Sequence, residues 1–507
     1  MKKQSFLTGA VILMIANAIS KILGAVFKIP LTYILNEDGM AVFNIAFEVY
    51  IMFLSFIISG LPFAISKMVA ESNSRGEYSK THRIVKISTI LLVCIGIVGS
   101  VALYFGSPFF ALAMKEEKAI YAIQMIAPSI FFVALGTAYK SYYQGVSNMI
   151  PTALSQVTEA IVKLASGYYL AVLFLNYGVE KTAGGAIMGV TAGEIIATAI
   201  LMIMYFYGRD KKYVKSEKSD TAEILKELMS IALPLLCASV VANAINVADT
   251  TLVRSRLLDG GFSSDEARFL YTGYALTVFH LPVGILATLG VSILPVIAGA
   301  IAVNNTNKAQ TATDIGIRLA VMLSMPCAVI MYLMSNEILT VLFHNSSSSA
   351  MLTAIAPCVV MMCVTQITSA ILQSAGKIML PFFTALCGSA VKLSVSWYLI
   401  AMPEINIYGS AISSNAAYIL VMILNLIAIH KCLSLKLNIT AIIIKPAIAT
   451  ALMFGVMYIS SNYISAILGD GFVYLAVMCG IGMSAYVLML FLTNAISVKE
   501  VRKILKG

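Results

Sequence analysis

Two lysines seven residues apart, Lys21 and Lys28, lie inside an otherwise apolar run with Gly24 between them. Seven residues is two helical turns, so all three share one face. A cation at bilayer depth costs roughly 2.5 to 3.5 kcal/mol on insertion scales, so each needs a counter-charge, a wet cavity or a route to the interface. A cationic stripe facing water suits a polyanionic ligand. Glu48, in the next apolar run, falls near the depth of Lys28 and is its natural partner, whereas Lys21 has no acid at matching depth there. Lys21, Gly24, Lys28 and Glu48 are therefore the first candidates for substrate binding.

Further polar residues interrupt later runs. Glu159 and Lys163 stand at i,i+4 with the acid first, the favourable helical order, and Glu194 in the following run would complete a network with them. Such a network is structural, or couples transport to H⁺ if one carboxyl titrates. Asn243, Asn246 and Asp249 recur at i, i+3, i+6 and stack three oxygen-bearing side chains on nearly one face. Hard cations take oxygen ligands, so Asn246 and Asp249 are candidates for a coupling Na⁺; helix capping or a pair with Arg254 is the simpler account of Asp249. His280, between Phe279 and Pro282, marks a broken helix, and Arg318 is an isolated cation; both join the candidate substrate set. Lys67 and Lys140, near the ends of their runs, reach the interface by snorkelling.

The elements that must hold these residues follow from composition. Of 507 residues, 60% are hydrophobic and 11% charged, with a mean hydropathy of +0.91; soluble domains average about 25% charged. Apolar runs of membrane-spanning length fall near 6–34, 40–68, 84–106, 119–143, 152–175, 183–207, 228–253, 269–302, 315–335, 350–374, 379–401, 406–430, 440–462 and 470–494. The chain is thus expected to be an all-α polytopic membrane protein of about fourteen spans. Runs this long exclude an outer-membrane barrel. With the N-terminus inside, 21 Lys and Arg fall on inner segments and 6 on outer ones, which places both termini in the cytoplasm. The net charge of +10 follows this topology and is no sign of nucleic-acid binding. The eight cysteines form no CxxC pair and read as small buried hydrophobes.

An internal repeat organises the spans. Residues 126–170 match 355–399 at a constant offset of 229, pairing Pro128 with Pro357, Gln144 with Gln373, and Lys163 with Lys392, while Gly388 stands opposite Glu159. Both copies enter from the same side, giving two parallel six-helix repeats, a transporter plan with substrate held between halves. The expected organisation is an N-lobe over 1–208, a charged linker over 209–227, a C-lobe over 228–436, and a last helix pair with its tail over 437–507. No loop is large enough for a soluble catalytic domain, and no HExxH, Walker, GxSxG or EF-hand pattern occurs. A transporter, and not an enzyme, is expected.

The chain resembles the MOP exporter superfamily, and within it the stage V sporulation protein B and MurJ-type lipid II flippase branch. The residues carrying this are Ser20-Lys21-Ile22-Leu23-Gly24, the segment Gly60 to Lys67, Tyr143-Gln144-Gly145, Pro151-Thr152-Ala153 and Ser155 to Glu159. The resemblance implies a MATE/MurJ-like pair of lobes around a cationic cavity, with Lys21 on the basic position of the Ser-basic-x-Leu-Gly motif. It also implies that the last two helices form a groove for a polyprenyl tail. The implied activity is flipping of a polyprenyl-pyrophosphate-linked oligosaccharide, a lipid II-like peptidoglycan precursor, across the bacterial cytoplasmic membrane by alternating access. Expected partners are that lipid-linked saccharide, membrane lipids and cell-wall synthesis enzymes, with no cofactor beyond a coupling Na⁺ or H⁺. The alternatives are a cation-coupled multidrug exporter on the same fold, or a non-transporting scaffold of cell-wall or sporulation assemblies.

Overall fold

The computed structural model describes residues 6–114, 116–208, 221–259, 261, 274–343, 346, 348–402, 404–433, 440–469 and 471–493. These are almost wholly helical, with no strand among them. The helices are α1 Phe6–Ile58, α2 Leu61–Ser74, α3 Tyr78–Ala113, α4 Ala119–Gly145, α5 Ile150–Leu173, α6 Val179–Gly208, α7 Thr221–Asp259 and α8 Tyr274–Ala302. They continue as α9 Thr306–Leu333, α10 Ser335–Phe343, α11 Ser349–Ile355, α12 Cys358–Ser374, α13 Met379–Leu399, α14 Tyr408–Leu433, α15 Lys445–Leu468 and α16 Phe472–Leu492. A π-helical turn, Thr440–Ile444, leads into α15.

The expected spans lie mainly on helices over their described residues, the first and most of the second on α1 and the tenth on α11 and α12. Eleven described helices are long and apolar enough to cross a membrane, and twelve if α11 and α12, bent by 47° on either side of Pro357, count as one. By that measure the number reached is below fourteen: the first run is a shorter apolar helix, Thr8–Gly24, and α5 is not among those that pass. The expected boundary between the first two spans is a sharp break within α1, where Asn36 takes φ 54° and ψ −171°. Asn adopts positive φ more readily than most residues. The expected second span ends its straight course at Ser59-Gly60 and resumes as α2 with Pro62 in the first turn, a position that suits proline.

Two expectations need correction. The broken helix expected at His280 and Pro282 is absent: α8 runs unbroken from Tyr274 to Ala302, since a membrane helix accommodates a proline when its surroundings re-satisfy the freed carbonyl. The cysteines are not uniformly buried. Cys358 and Cys363 are, but Cys94, Cys237 and Cys387 are exposed. In a membrane protein the outer surface is itself apolar, so a small hydrophobe is at home there.

The chain divides into two compact units, Met1–Ser239 with Leu294–Asn304, and Val240–Ile293 with Asn305–Gly507. The division passes within α7 and α8. Of the expected linker, residues 209–220 lie outside the described residues, and 221–227 open α7. The first part of α7 belongs to unit 1, where the Arg83 guanidinium donates to the Thr221 hydroxyl at 2.8 Å and Lys80 approaches Glu227 at 4.0 Å.

In unit 1, α3, α4, α5 and α6 pack side by side, with α1 against α5. Small residues let the backbones close in. A Cβ added to Gly189 of α6 would overlap the Cα of Gly167 on α5. Hydroxyls supply the polar contacts: Thr191 and Thr198 of α6 donate to the carbonyls of Met125 and Phe132 on α4, both at 2.9 Å. Unit 2 uses an amide, as Asn425 of α14 accepts from Thr384 at 2.7 Å and donates to Thr368 and Ser369 at 3.2 and 3.1 Å. Gly189→Val is expected to destabilise the protein in detergent by about 1–3 kcal/mol, the usual cost of overpacking. Gly455→Ala, with no atom within 4 Å of the new Cβ, should leave the melting temperature unchanged when both are followed by thermal aggregation.

Candidate substrate and coupling sites

Lys21 lies on α1 and is half-buried. Among the described residues it has no carboxylate within ion-pair distance. The preceding Ser20 fixes the helix locally, its hydroxyl donating to the Gln156 carbonyl of α5 at 3.2 Å. Gly24, one turn on, is also half-buried and a Cβ there would meet nothing within 4 Å, so the face that follows Lys21 is open. Lys28 is on α1, but its side chain lies outside the described residues, and its expected pairing with Glu48 does too. Glu48 is exposed, on the part of α1 that follows the Asn36 break.

The acid–base network of unit 1 is real but wired differently from the i,i+4 expectation. The ion pair of Glu159 is with Lys140 of α4, at 3.7 Å, not a local one along α5. Lys140 therefore does not simply snorkel: its ammonium is held by a neighbouring helix. Lys163 lies over the faces of Phe27 and Phe47, 5.8 and 5.0 Å from their centroids, where ring quadrupoles attract a cation. Glu194 of α6 is buried, with 8% of its surface exposed. It lies within electrostatic reach of Glu159, Lys140 and Lys163. Gly193 lets this happen, because a Cβ there would press on the Glu159 carbonyl and Lys163 Cβ. Tyr50 of α1, which the sequence did not single out, is buried near both carboxyls.

Lys67 corrects a second snorkelling expectation. It is buried, and pairs with Glu71 one turn on at 3.8 Å. Glu71 lies beyond the spans; burial holds its carboxyl above the ordinary range, against the downward pull of Lys67.

In unit 2 the Oδ2 of Asp249 accepts from Lys392 Nζ of α13 at 2.7 Å, a partner the sequence did not suggest; the expected pairing with Arg254 lies outside the described residues. Asp249 is only 4% exposed. The partner is the lysine that the repeat sets opposite Lys163. The side chains of Asn243 and Asn246 lie outside the described residues. A second cation of α7, Arg256, stacks on Trp397 of α13 at 3.3 Å and pairs with Asp259 at 3.0 Å. His280 is exposed on α8, edge-on to Phe279 at 5.0 Å, and Arg318 is half-buried on α9 one turn after Asp314, which feels its charge. Neither is joined by the described contacts to the Asp249–Lys392 pair.

The fold coincides with that of known proteins. A multidrug MATE transporter of the MOP superfamily, solved in an outward-facing conformation, superposes with a TM-score of 0.73 at 15% identity, covering 85% of this chain and 99% of that one. A MOP superfamily transporter from Pyrococcus furiosus Vc1 (DSM3638) gives 0.73 at 15% identity, over 86% and 99%. The fold is therefore the helical fold of those two transporters. The pattern described as "Polysaccharide biosynthesis protein" matches residues 6–300, more than half of the chain, and the MatE pattern matches 272–398. The chain belongs to the polysaccharide biosynthesis protein family. Stage V sporulation protein B of Bacillus subtilis (strain 168) is 26% identical, covering 99% of this chain and 98% of that protein. Lipid II flippase MurJ of the same organism is 24% identical, over 91% and 89%.

Losing one member of a buried ion pair leaves the other uncompensated, at about 3–5 kcal/mol. Asp249→Asn should therefore sharply lower thermal stability, and the double variant Asp249→Asn with Lys392→Met should recover most of the loss. A double-mutant cycle on melting temperature measures the coupling.

Proposed function

We propose that this flippase-type transporter moves a polyprenyl-pyrophosphate-linked oligosaccharide, a lipid II-like peptidoglycan precursor, across the bacterial cytoplasmic membrane by alternating access, with both termini in the cytoplasm. The observation that carries the reading is Lys21: a lysine at bilayer depth, half-buried, without a carboxylate at ion-pair distance among the described residues, beside an open Gly24 face. Three other lysines of the spans have acidic or aromatic company: Lys140 has Glu159, Lys392 has Asp249, and Lys163 has two phenyl rings. A membrane protein that leaves one ammonium without a counter-charge spends free energy on it, and a pyrophosphate is a ligand that would return it. The matches to MurJ and to the polysaccharide biosynthesis pattern support the same class of cargo.

For coupling, the network of Glu159 and Glu194 favours H⁺. Glu194 is buried near Glu159, and Lys140 is the cation that meets Glu159. The Na⁺ alternative at Asp249 has to compete with an ammonium 2.7 Å away. Lys21, Lys28, Gly24, Glu48, His280 and Arg318 remain the candidate substrate residues, with Lys21 first among them.

Lys21→Glu should abolish complementation of a strain depleted of its lipid II flippase, while Lys21→Arg keeps most of it. Both variants should accumulate to wild-type levels in the membrane, as judged by immunoblot. Full complementation by Lys21→Glu would refute the cationic cargo site.

A further inference from the structure

Unit 2 holds an apolar cavity of about 760 Å³ between α9, α12, α14 and the π-helical turn that leads into α15. Its walls include Ile317, Met325, Val360, Met361 and Ile442, and no carboxylate lines it. At one end the lining changes character: His430 and Lys431, the exposed last-turn residues of α14, close it. Among the described residues no carboxylate lies within ion-pair distance of Lys431. Lys445 follows two residues after Ile443 of the opposite wall. A second cavity of about 590 Å³ adjoins the first through Met325, Val360 and Met361 and is walled further on by Tyr332 and Phe454.

A space lined by Ile, Val and Met at bilayer depth is not a place for water, which needs polar partners. Hydrocarbon is the filling that costs nothing there. From Ile317 to Met325 is eight residues of α9, a rise of about 12 Å, close to one leaflet of a core roughly 30 Å thick. The basic end lies on the side to which the lysine distribution assigns the cytoplasm. An apolar slot one leaflet deep, ending in exposed cations, matches a lipid whose tail lies in the slot and whose headgroup is negative.

We propose that this cavity binds an anionic phospholipid of the cytoplasmic leaflet, its acyl chain between α9, α12 and α14 and its phosphate at Lys431 and His430. The site shares no residue with the candidate cargo site around Lys21, and binding at it does not depend on transport. Its occupant is a lipid of the bulk bilayer, distinguished from a zwitterionic one by the charge at the slot's end. Basic residues at the cytoplasmic surface attract anionic lipids in this way, each contributing about a fivefold preference.

The test uses the full-length protein in nanodiscs made from equal parts phosphatidylglycerol and phosphatidylcholine, followed by native mass spectrometry of retained lipid. The wild type should retain phosphatidylglycerol over phosphatidylcholine by about fivefold or more, as expected from one exposed lysine. Lys431→Glu should bring the ratio to one or below, and Val321→Trp, which fills the slot while keeping Lys431, should reduce retention of both lipids. Lys431 is exposed, so its replacement should leave the elution profile and melting temperature intact. Equal retention of the two lipids by the wild type, or an unchanged preference in Lys431→Glu, would overturn the proposal. So would displacement of phosphatidylglycerol from the slot by added undecaprenyl phosphate at equal concentration, since the slot would then belong to the cargo. Because the readout is bound lipid, a negative result here is separable from failure of the Lys21 complementation assay.

Discussion

The cost of a charge in hydrocarbon orders everything polar in this molecule. A lysine or carboxylate inside a span is tolerated when another helix brings something to meet it. Lys140 and Glu159 join α4 to α5, Glu194 brings in α6, and Asp249 and Lys392 join α7 to α13. These contacts are more than local decoration: each fixes the register of two helices that are far apart in sequence. Hydroxyl and amide contacts such as Thr191 to Met125 and Asn425 to Thr384 repeat the same logic without charge. The rule is relaxed at Lys21, where no carboxylate stands at ion-pair distance among the described residues.

The helical framework was legible because apolar run length and helical span length are the same physical quantity. The break at Asn36 and the bend at Pro357 fall between or within the runs marked by hydropathy. What could not be read was which charges meet. Spacing along one helix favoured Glu159 with Lys163, yet the pair forms with Lys140, because neighbouring helices compete with i,i+4 geometry and carry no trace of it in local sequence. Lys392 reaches Asp249 across 143 positions. The repeat had marked Lys392 as the counterpart of Lys163 without giving its partner. Pro282 shows the opposite failure: a residue that breaks soluble helices is absorbed into α8.

The two repeats have kept a lysine in the same place and given it different surroundings. Lys163 rests on aromatic faces near two carboxyls, whereas Lys392 is bound directly to one. Superposition on MATE transporters at 15% identity shows how little of the backbone depends on such choices. Packing of small residues sets the scaffold, and a handful of polar substitutions distinguishes one member from another.

The close approach of α5 and α6 at Gly167 and Gly189, and again beneath Glu159 at Gly193, carries a mechanical corollary. With backbones touching at two levels, these helices slide past one another only by climbing over each other's main chain. The backbone positions of Glu159 and Glu194 are consequently held at a fixed separation. The other members of the network, Lys140 and Tyr50, ride on α4 and α1. Of those two carriers, α1 is the one with a break in its shaft, at Asn36, so stiffness on one flank of the network hands compliance to the other.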